Sequence, residues 1–538
     1  MKEKRLIGLF AVFLLAFAAV MGRLYLLATN REYAQNAQQQ SVTRLELEPA
    51  RGNIYDCRGV RFTGGDPRYF ALSIPGESSY TQLFQYVPYK SQDLLYEKRN
   101  ALAPFLIEVD RDLSQQGIYT YAVPRRYPEL PIAEHLLGYV DGEGKGASGL
   151  EAAFDEELGL NANGAYVECI TTARGGLLED TRPHLEKSGE SREGLVLTLD
   201  KSIQRVCEGV AAAGMDTGCI LVLDTATARV LASVSMPRFD PGNVGRSIQA
   251  GDSSLLNRPL CAYNVGSVFK PILAAAALEN GKGEFGWDCA GAVDLNGQVY
   301  HCAESRVHGP VDMTGALSES CNCFFVELGQ ELGGNTVRDM ARRFGFGEPV
   351  YLAGGMRSAP GNLPSQAVLQ DQGELANLSF GQGQLTAAPI QVAAAMNVIA
   401  SDGAYRTPTF LERVVKESTG ETVRQLYEPH KQQVIRPETA QKLREMLTDV
   451  VENGLGRDAK PEVGGAGGKT GTAQTGTFTE DGKEKMNYWF VGFYPAEKPK
   501  YTILVMQDGV IRPRVSSGLL FRQVCNGLHW VGNPSKNS

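Results

Sequence analysis

The sequence predicts an α+β protein in three parts: one membrane-spanning helix, a β-rich N-terminal domain, and a larger unit with an antiparallel sheet flanked by helices. Three observations predict it. A long uncharged run follows basic residues at the N-terminus; short strand-like runs and turns fill the chain to about residue 194; strands and apolar helices mix after that. Of 538 residues, 43% are hydrophobic and 21% charged, which excludes disordered and collagen-like classes. The formal net charge of −8 lacks the basic footprint that a nucleic-acid partner needs.

Lys2, Lys4 and Arg5 precede the uncharged run 6–22, and 24–28 continue it after Arg23. The run exceeds the roughly 7–15 apolar residues of a cleavable signal and approaches the roughly 20 that span a bilayer. Residues 6–28 are therefore expected to be a signal anchor behind a cytoplasmic tail, 1–5, with Arg23 snorkelling and Tyr25 as an aromatic anchor. Ala16, Ala18 and Ala19 keep cleavage as the alternative. Basic residues on the short side place the rest of the chain outside the cell membrane.

The expected domains are 29–194 and 195–538, divided within the charged, apolar-poor stretch 181–194. Residues 69–74 read as a strand of the first. In the second, 195–199 read as a strand, a helix starts at Ser202, and 219–223 with 230–234 read as a hairpin.

Ten cysteines occur with no CxxC pair and no zinc-type spacing to histidine, so neither metal nor cofactor is expected. Cys289 and Cys302 flank the turn signal Asn296-Gly297 and can face each other, either as a disulfide or as two small buried side chains. Cys321 and Cys323 are too poorly oriented at a helix start to bridge each other. The six histidines are scattered, and each reads as structural.

The chemistry lies in the second half. Ser267 and Lys270 stand three apart at the start of an alanine-rich apolar helix, 272–278, closed by Asn280-Gly281. A serine hydroxyl needs a base to become a nucleophile, and a desolvated neutral lysine can serve. Ser320 and Asn322 sit where a polar segment enters a second helix. Lys469, Thr470, Gly471 and Thr472 begin a strand, with 487–493 and 501–506 as antiparallel neighbours. Lookalikes fail on context: Ser535 with Asn537 lies in a polar tail, and Lys187-Ser188-Gly189 lies upstream of the serine. The glycines at 464–468 before Lys469 do not fit a P-loop, because position 463 is Val and a strand follows. The GxGxxG at 144–149 lacks a convincing preceding strand.

The ordered set Ser267-x-x-Lys270, Ser320-x-Asn322 and Lys469-Thr470-Gly471 resembles the penicillin-recognising acyl-transferases. Arg51-Gly52 through Asp56 resembles the N-terminal signature of class B penicillin-binding proteins, and Gly149-Leu150-Glu151 with Phe154-Asp155 resembles the next one. Gly381-Gln382-Gly383, Thr386, Pro389 to Gln391 and Asn487 to Phe490 match transpeptidase positions. Two departures stand out: Cys57 where the family usually has Arg, which here follows as Arg58, and Val265 where it often has Pro.

The resemblance implies a penicillin-binding transpeptidase fold, similar to serine β-lactamases, on an N-terminal pedestal, and a D,D-transpeptidase that cross-links peptidoglycan stem peptides and is acylated by β-lactams. It implies Ser267 as nucleophile, Lys270 as base aided by the charge of Lys469, and Ser320 as proton relay. Asn322, Lys469, Thr470, Gly471 and Thr472 would bind substrate, and the backbone N–H groups of Ser267 and Thr472 would form the oxyanion hole. It also implies a membrane-embedded glycosyltransferase partner, because no polymerising domain is legible before residue 194. The rival readings are a β-lactamase, a β-lactam sensor and a D,D-carboxypeptidase. The service to elongation, division or sporulation is not legible.

Overall fold

A computed structural model describes residues 2–29, 42–48, 51–65, 67–159, 165–172, 176–178, 181–187, 192–352, 354–427 and 430–531. Part of the expected boundary at 181–194 lies outside these residues, as do Ser188, Gly189 and the lookalike at 535–537. The chain forms two compact units: residues 1–51, 66–125 and 161–190 make the first, and 52–65, 126–160 and 191–538 the second.

In the first unit, the helix Lys2–Thr29 follows from the long apolar run behind its basic start, broken only by Arg23. Its stretch Lys4–Thr29 has a mean hydropathy of 2.2 and is the one helix among the described residues long and apolar enough to cross a membrane. The expected strand at 69–74 forms as Pro67–Ser73, central between Phe105–Val109 and Thr120–Pro124. Helices Glu77–Phe84 and Tyr89–Lys98 cover that sheet over Ala71, Leu83, Leu95 and Ile107. A second three-stranded sheet joins Val42–Glu48, Ala165–Ile170 and His184–Lys187.

The second unit is built around five antiparallel strands: β1 (Gly218–Asp224), β2 (Val230–Met236), β3 (Gly467–Phe478), β4 (Glu484–Tyr494) and β5 (Tyr501–Val510), in the order β2-β1-β5-β4-β3. Side chains alternate across a strand, so Ile220 and Val222 of β1 join one core while Cys219, Leu221 and Leu223 join the other. The first core is closed by the helices α1 (Lys201–Gly214) and α6 (Ser517–Val531). The second holds α2 (Lys270–Glu279), α3 (Asn322–Leu332), α4 (Pro389–Ala400) and α5 (Pro437–Glu452).

Local chemistry sets these boundaries. Asp200 caps α1 by accepting from the Ser202 and Ile203 amides. Asn280 and the left-handed Gly281 (φ 72°) end α2 as the sequence predicts. All twelve residues of α4 are buried. Its Gln391 is satisfied there, donating to the carbonyls of Gly345, Glu348 and Pro360 and accepting from the Ala388 amide.

The residues expected at 195–199 form the strand Glu193–Leu197, which pairs with Leu411–Lys416 and with Ile54–Tyr55 of the first signature. The two N-terminal signatures meet through a residue the sequence reading missed. Arg126 clasps both carboxylate oxygens of the fully buried Glu151 at 2.7 and 2.8 Å and donates to the Gly52 carbonyl at 2.6 Å. The Cys57 departure shifts the family's arginine by one place, and Arg58 still finds a partner in the Asp200 carboxylate. Burial pushes the Cys57 thiol up to about 11, with the Asp200 and Asp56 carboxylates adding to it.

Candidate active site

Ser267 lies in a tight 3-10 turn, Gly266–Phe269, that runs directly into α2. Gly266 is left-handed (φ 67°), and a Cβ there would stand 2.7 Å from the Thr472 carbonyl. Its amide donates to the Gly381 carbonyl at 2.8 Å. Gly381 is left-handed as well (φ 82°), and a Cβ on it would fall 1.9 Å from the Gly266 carbonyl oxygen. The serine turn, the Gly381-Gln382-Gly383 loop and β3 therefore approach backbone to backbone.

Lys270 opens α2, and its ammonium is completely buried. It donates to the Ser320 carbonyl at 2.7 Å, to Asn322 Oδ1 at 2.7 Å and to Ser320 Oγ at 3.1 Å. Burial brings it down to about 7, against the opposing pull of the Cys321, Cys302 and Cys323 sulfurs. Ser320 occupies a left-handed conformation (φ 53°) rare for a residue with a Cβ, and this turn aims both its carbonyl and its hydroxyl at the amine. Asn322 begins α3 and is oriented at its other end, where Nδ2 donates to the His301 carbonyl at 3.0 Å.

Lys469, also wholly buried, lies on β3, the terminal strand of the sheet, and donates weakly to the Thr470 carbonyl and hydroxyl, both at 3.3 Å. Burial first, and then the charge of Lys270, hold it well below the usual lysine range. The sequence reading expected burial and the charge of Lys469 together to depress Lys270; burial acts at Lys270, and the repulsion between the two falls on Lys469.

Gly471 packs so closely that a Cβ would meet Val268 Cγ1 at 2.9 Å and Trp489 Cβ at 3.2 Å. The indole of Trp489, its neighbour across the ladder, donates to the Asn264 carbonyl. The Thr472 carbonyl accepts from Gln382 Nε2 at 3.3 Å, on the side facing Gly266. In a strand, a residue's N–H leaves on the same side as its C=O, so the Thr472 amide also faces the serine turn. Gln382, within the Gly381-Gln382-Gly383 match, thus reaches β3 by a contact that motif spacing alone did not single out.

The three segments thus converge on one crevice. The glycine-rich stretch before Lys469 runs into strand β3, as its pattern predicts, and 144–149 form turns leading into a five-residue helix.

The cysteines that stand singly in sequence do not stand singly in space. Asn296 and Gly297 turn the expected hairpin (Ala292–Leu295 with Gln298–His301). The Cys289 and Cys302 sulfurs lie 3.7 Å apart as buried, unbonded thiols, with Cys321, Cys323 and His308 around them. His308 accordingly has company that its isolation in the sequence did not suggest.

The fold and the crevice match known proteins. Residues 218–518 match the penicillin-binding protein transpeptidase domain. The chain is 29% identical to stage V sporulation protein D of Bacillus subtilis over 86% of its own length and 75% of the relative. It is 27% identical to peptidoglycan D,D-transpeptidase MrdA of Acinetobacter baumannii, over 93% and 84%. Penicillin-binding protein 3 of Mycobacterium tuberculosis complexed with aztreonam superposes with a TM-score of 0.65 at 25% identity, covering 91% of this chain and 97% of that one. The chain belongs to the penicillin-binding protein transpeptidase family. Within it, the chain is a class B member, a serine D,D-transpeptidase of cell-wall synthesis.

Proposed function

We propose that Ser267 is the nucleophile of peptidoglycan cross-linking and that Lys270 is its base. The observation that carries this reading is the enclosed amine of Lys270, brought to about 7 by burial and held by both residues of the Ser320-x-Asn322 motif. Ser267 Oγ attacks the penultimate D-Ala carbonyl carbon of a stem peptide while its proton passes to Lys270 Nζ. The carbonyl oxygen becomes an oxyanion, met by the Ser267 and Thr472 amides. The C–N bond then breaks, and Ser320 hands the proton from Lys270 to the departing D-Ala amine. A neighbouring stem's amine attacks the resulting ester, an amide forms, and the proton it loses returns to Ser267 Oγ.

Lys469, with Thr470 and Thr472, takes the terminal carboxylate. An arriving carboxylate draws a proton onto Lys469, and that new charge then favours neutral Lys270. Gly471 leaves the edge of β3 open for the substrate backbone to add as a strand, and Asn322 hydrogen-bonds the substrate amide. A β-lactam acylates Ser267 as a mimic of the same substrate.

The N-terminal helix serves as a single-pass anchor with its basic end in the cytoplasm, and the catalytic unit works outside. The catalytic domain is 195–538 and the pedestal the chain between it and the anchor, except that 52–65 and 126–160 share the compact unit of the catalytic domain. A membrane-embedded glycosyltransferase supplies the glycan strands and meets the anchor and pedestal.

The test is labelling with a fluorescent penicillin followed by peptide mapping. The label is expected on Ser267 and absent from Ser267→Ala; a label on another residue overturns the assignment. Stem peptides offered with an acceptor amine should yield the cross-linked dimer, whereas hydrolysis alone would mark a carboxypeptidase.

A further inference from the structure

We propose that Gln382 sets which acyl donors enter the crevice readily, because it occupies the acceptor that a donor's amide N–H needs. Its Nε2 donates to the Thr472 carbonyl at 3.3 Å. β3 is the terminal strand of the sheet, and the C=O of Thr472 lies on its free side, facing Gln382 and Gly266, with the N–H beside it. A peptide that adds to this edge pairs with those two groups, its own N–H going to the carbonyl. Gln382 and the peptide therefore compete for one oxygen. The serine turn limits the room on the other flank, where a Cβ on Gly266 would stand 2.7 Å from the same atom.

The backbone around Gln382 is fixed, whereas its side chain can turn. The helix Gln372–Ser379 ends with the Gly381 amide on the Leu378 carbonyl at 2.9 Å and the Gln382 amide on the Asn377 carbonyl at 2.8 Å. With Gly381 left-handed, these two bonds make a Schellman end. Gly383 is left-handed too, and a Cβ on it would meet Asn377 Cβ at 2.9 Å, so the loop is packed on both sides of Gln382. The half-buried carboxamide is held at β3 by one long, neutral bond. It can leave by rotating its own side-chain torsions, with no movement of the loop.

A donor with an amide N–H at this place exchanges one neutral hydrogen bond for another. A donor without one has no use for the carbonyl and leaves Gln382 where it is. A neutral bond of this kind is worth about two- to tenfold, which is the size of the handicap that N–H donors meet. Changes around Gln382 that tighten its bond slow such donors, and loss of the carboxamide speeds them. This inference rests on the reading of Ser267 as the residue acylated and of β3 as the edge that takes the donor.

The experiment uses the full chain in detergent and two β-lactams. Benzylpenicillin carries an acylamino N–H, and imipenem carries a hydroxyethyl group in its place. Acylation rates are read by competition with a fluorescent penicillin. Gln382→Met keeps the length of the side chain and removes the donor. It should lower the benzylpenicillin concentration for half-maximal acylation about two- to tenfold, at an unchanged maximal rate and unfolding midpoint, and leave imipenem within about twofold. Gln382→Asn, one methylene shorter and out of reach of the carbonyl, should behave in the same way and replaces the Met variant if that one misfolds. The proposal is overturned if benzylpenicillin gains nothing, if it acylates more slowly, or if both drugs gain equally. A label that moves off Ser267 in the unaltered chain overturns the function proposed above; a label on Ser267 with an unchanged ratio between the two drugs overturns the role of Gln382 alone.

Discussion

Lys270 Nζ and Asn322 Oδ1 lie 2.7 Å apart at the join of two helices, with Ser320 Oγ on the same nitrogen at 3.1 Å. As an ammonium, Lys270 has three hydrogens for three acceptors: Asn322 Oδ1, Ser320 Oγ and the Ser320 carbonyl. As an amine it has two, and the Ser320 hydroxyl can turn and donate to its lone pair. That reversal would supply the proton path of the proposed mechanism, and it links the state of the base to the orientation of Ser320.

The first prediction is a pH dependence. A base must be neutral to accept a proton, and Lys270 becomes neutral as pH rises through about 7. Acylation of Ser267 by a fluorescent penicillin should therefore climb through that value and level off above it, on the order of tenfold per unit below it. Lys270→Ala should remove the rise and slow acylation about 10²–10⁴-fold; a flat profile in the unaltered chain would count against this base.

Ser320 separates stability from activity. Its backbone is left-handed, so Ser320→Gly should relieve strain and leave stability equal or up to about 1 kcal/mol higher. Acylation should nonetheless fall, because the hydroxyl beside Lys270 is gone. Thermal unfolding and labelling rates on the same sample read both signs.

Gly381→Ala brings a Cβ to 1.9 Å from the Gly266 carbonyl, at a φ of 82° that disfavours any side chain. Backbone cannot yield as a side chain can, so the loop must move away from the serine turn. A loss of about 1–3 kcal/mol is expected, with slower acylation; Gly59→Ala, at a similar φ of 81° but with open space around its Cβ, is the control for backbone strain alone.

Glu151→Ala leaves the Arg126 guanidinium, 15% exposed, without its clasped carboxylate. Removing one member of such a pair costs about 3–5 kcal/mol. Denaturant unfolding should show the loss, while chain that remains folded should still label at Ser267, since neither residue touches the crevice residues named above.

Lys469→Ala should raise the concentration of penicillin needed for half-maximal acylation rate more than it lowers the maximal rate. It removes the carboxylate's partner and spares the base. Equal loss in both would make Lys469 part of the proton path.

Much of this was legible before any coordinates. The helix of 272–278, its cap at Asn280-Gly281 and the partners of the Lys469 strand follow from apolar runs and turn residues, which are local signals. Arg126 was not legible, because a lone arginine in a turn-rich stretch carries no period, and its importance comes from a partner 25 residues on and a carbonyl at Gly52. Gln382 was named only as part of the Gly381-Gln382-Gly383 match, because its contact with the Thr472 carbonyl is 90 residues away in sequence. Of the sulfur cluster, the approach of Cys289 and Cys302 was legible from the hairpin turn between them, whereas His308 and Cys321 were not, because only the hairpin and the α3 N-terminus bring them in.

Beside the partly exposed Ser267, Ser320 and Asn322, much of the crevice is main chain or fully enclosed: the carbonyls of Gly266 and Ser320, the amines of Lys270 and Lys469, and glycines at 266, 381 and 471. Under the proposed mechanism drug and natural peptide use the same groups, so selection for antibiotic tolerance would have little freedom there. Variation that discriminates between the two has its opening at the rim, where Gln382 reaches the Thr472 carbonyl, and surveys of resistant isolates should find their substitutions clustered around Gln382.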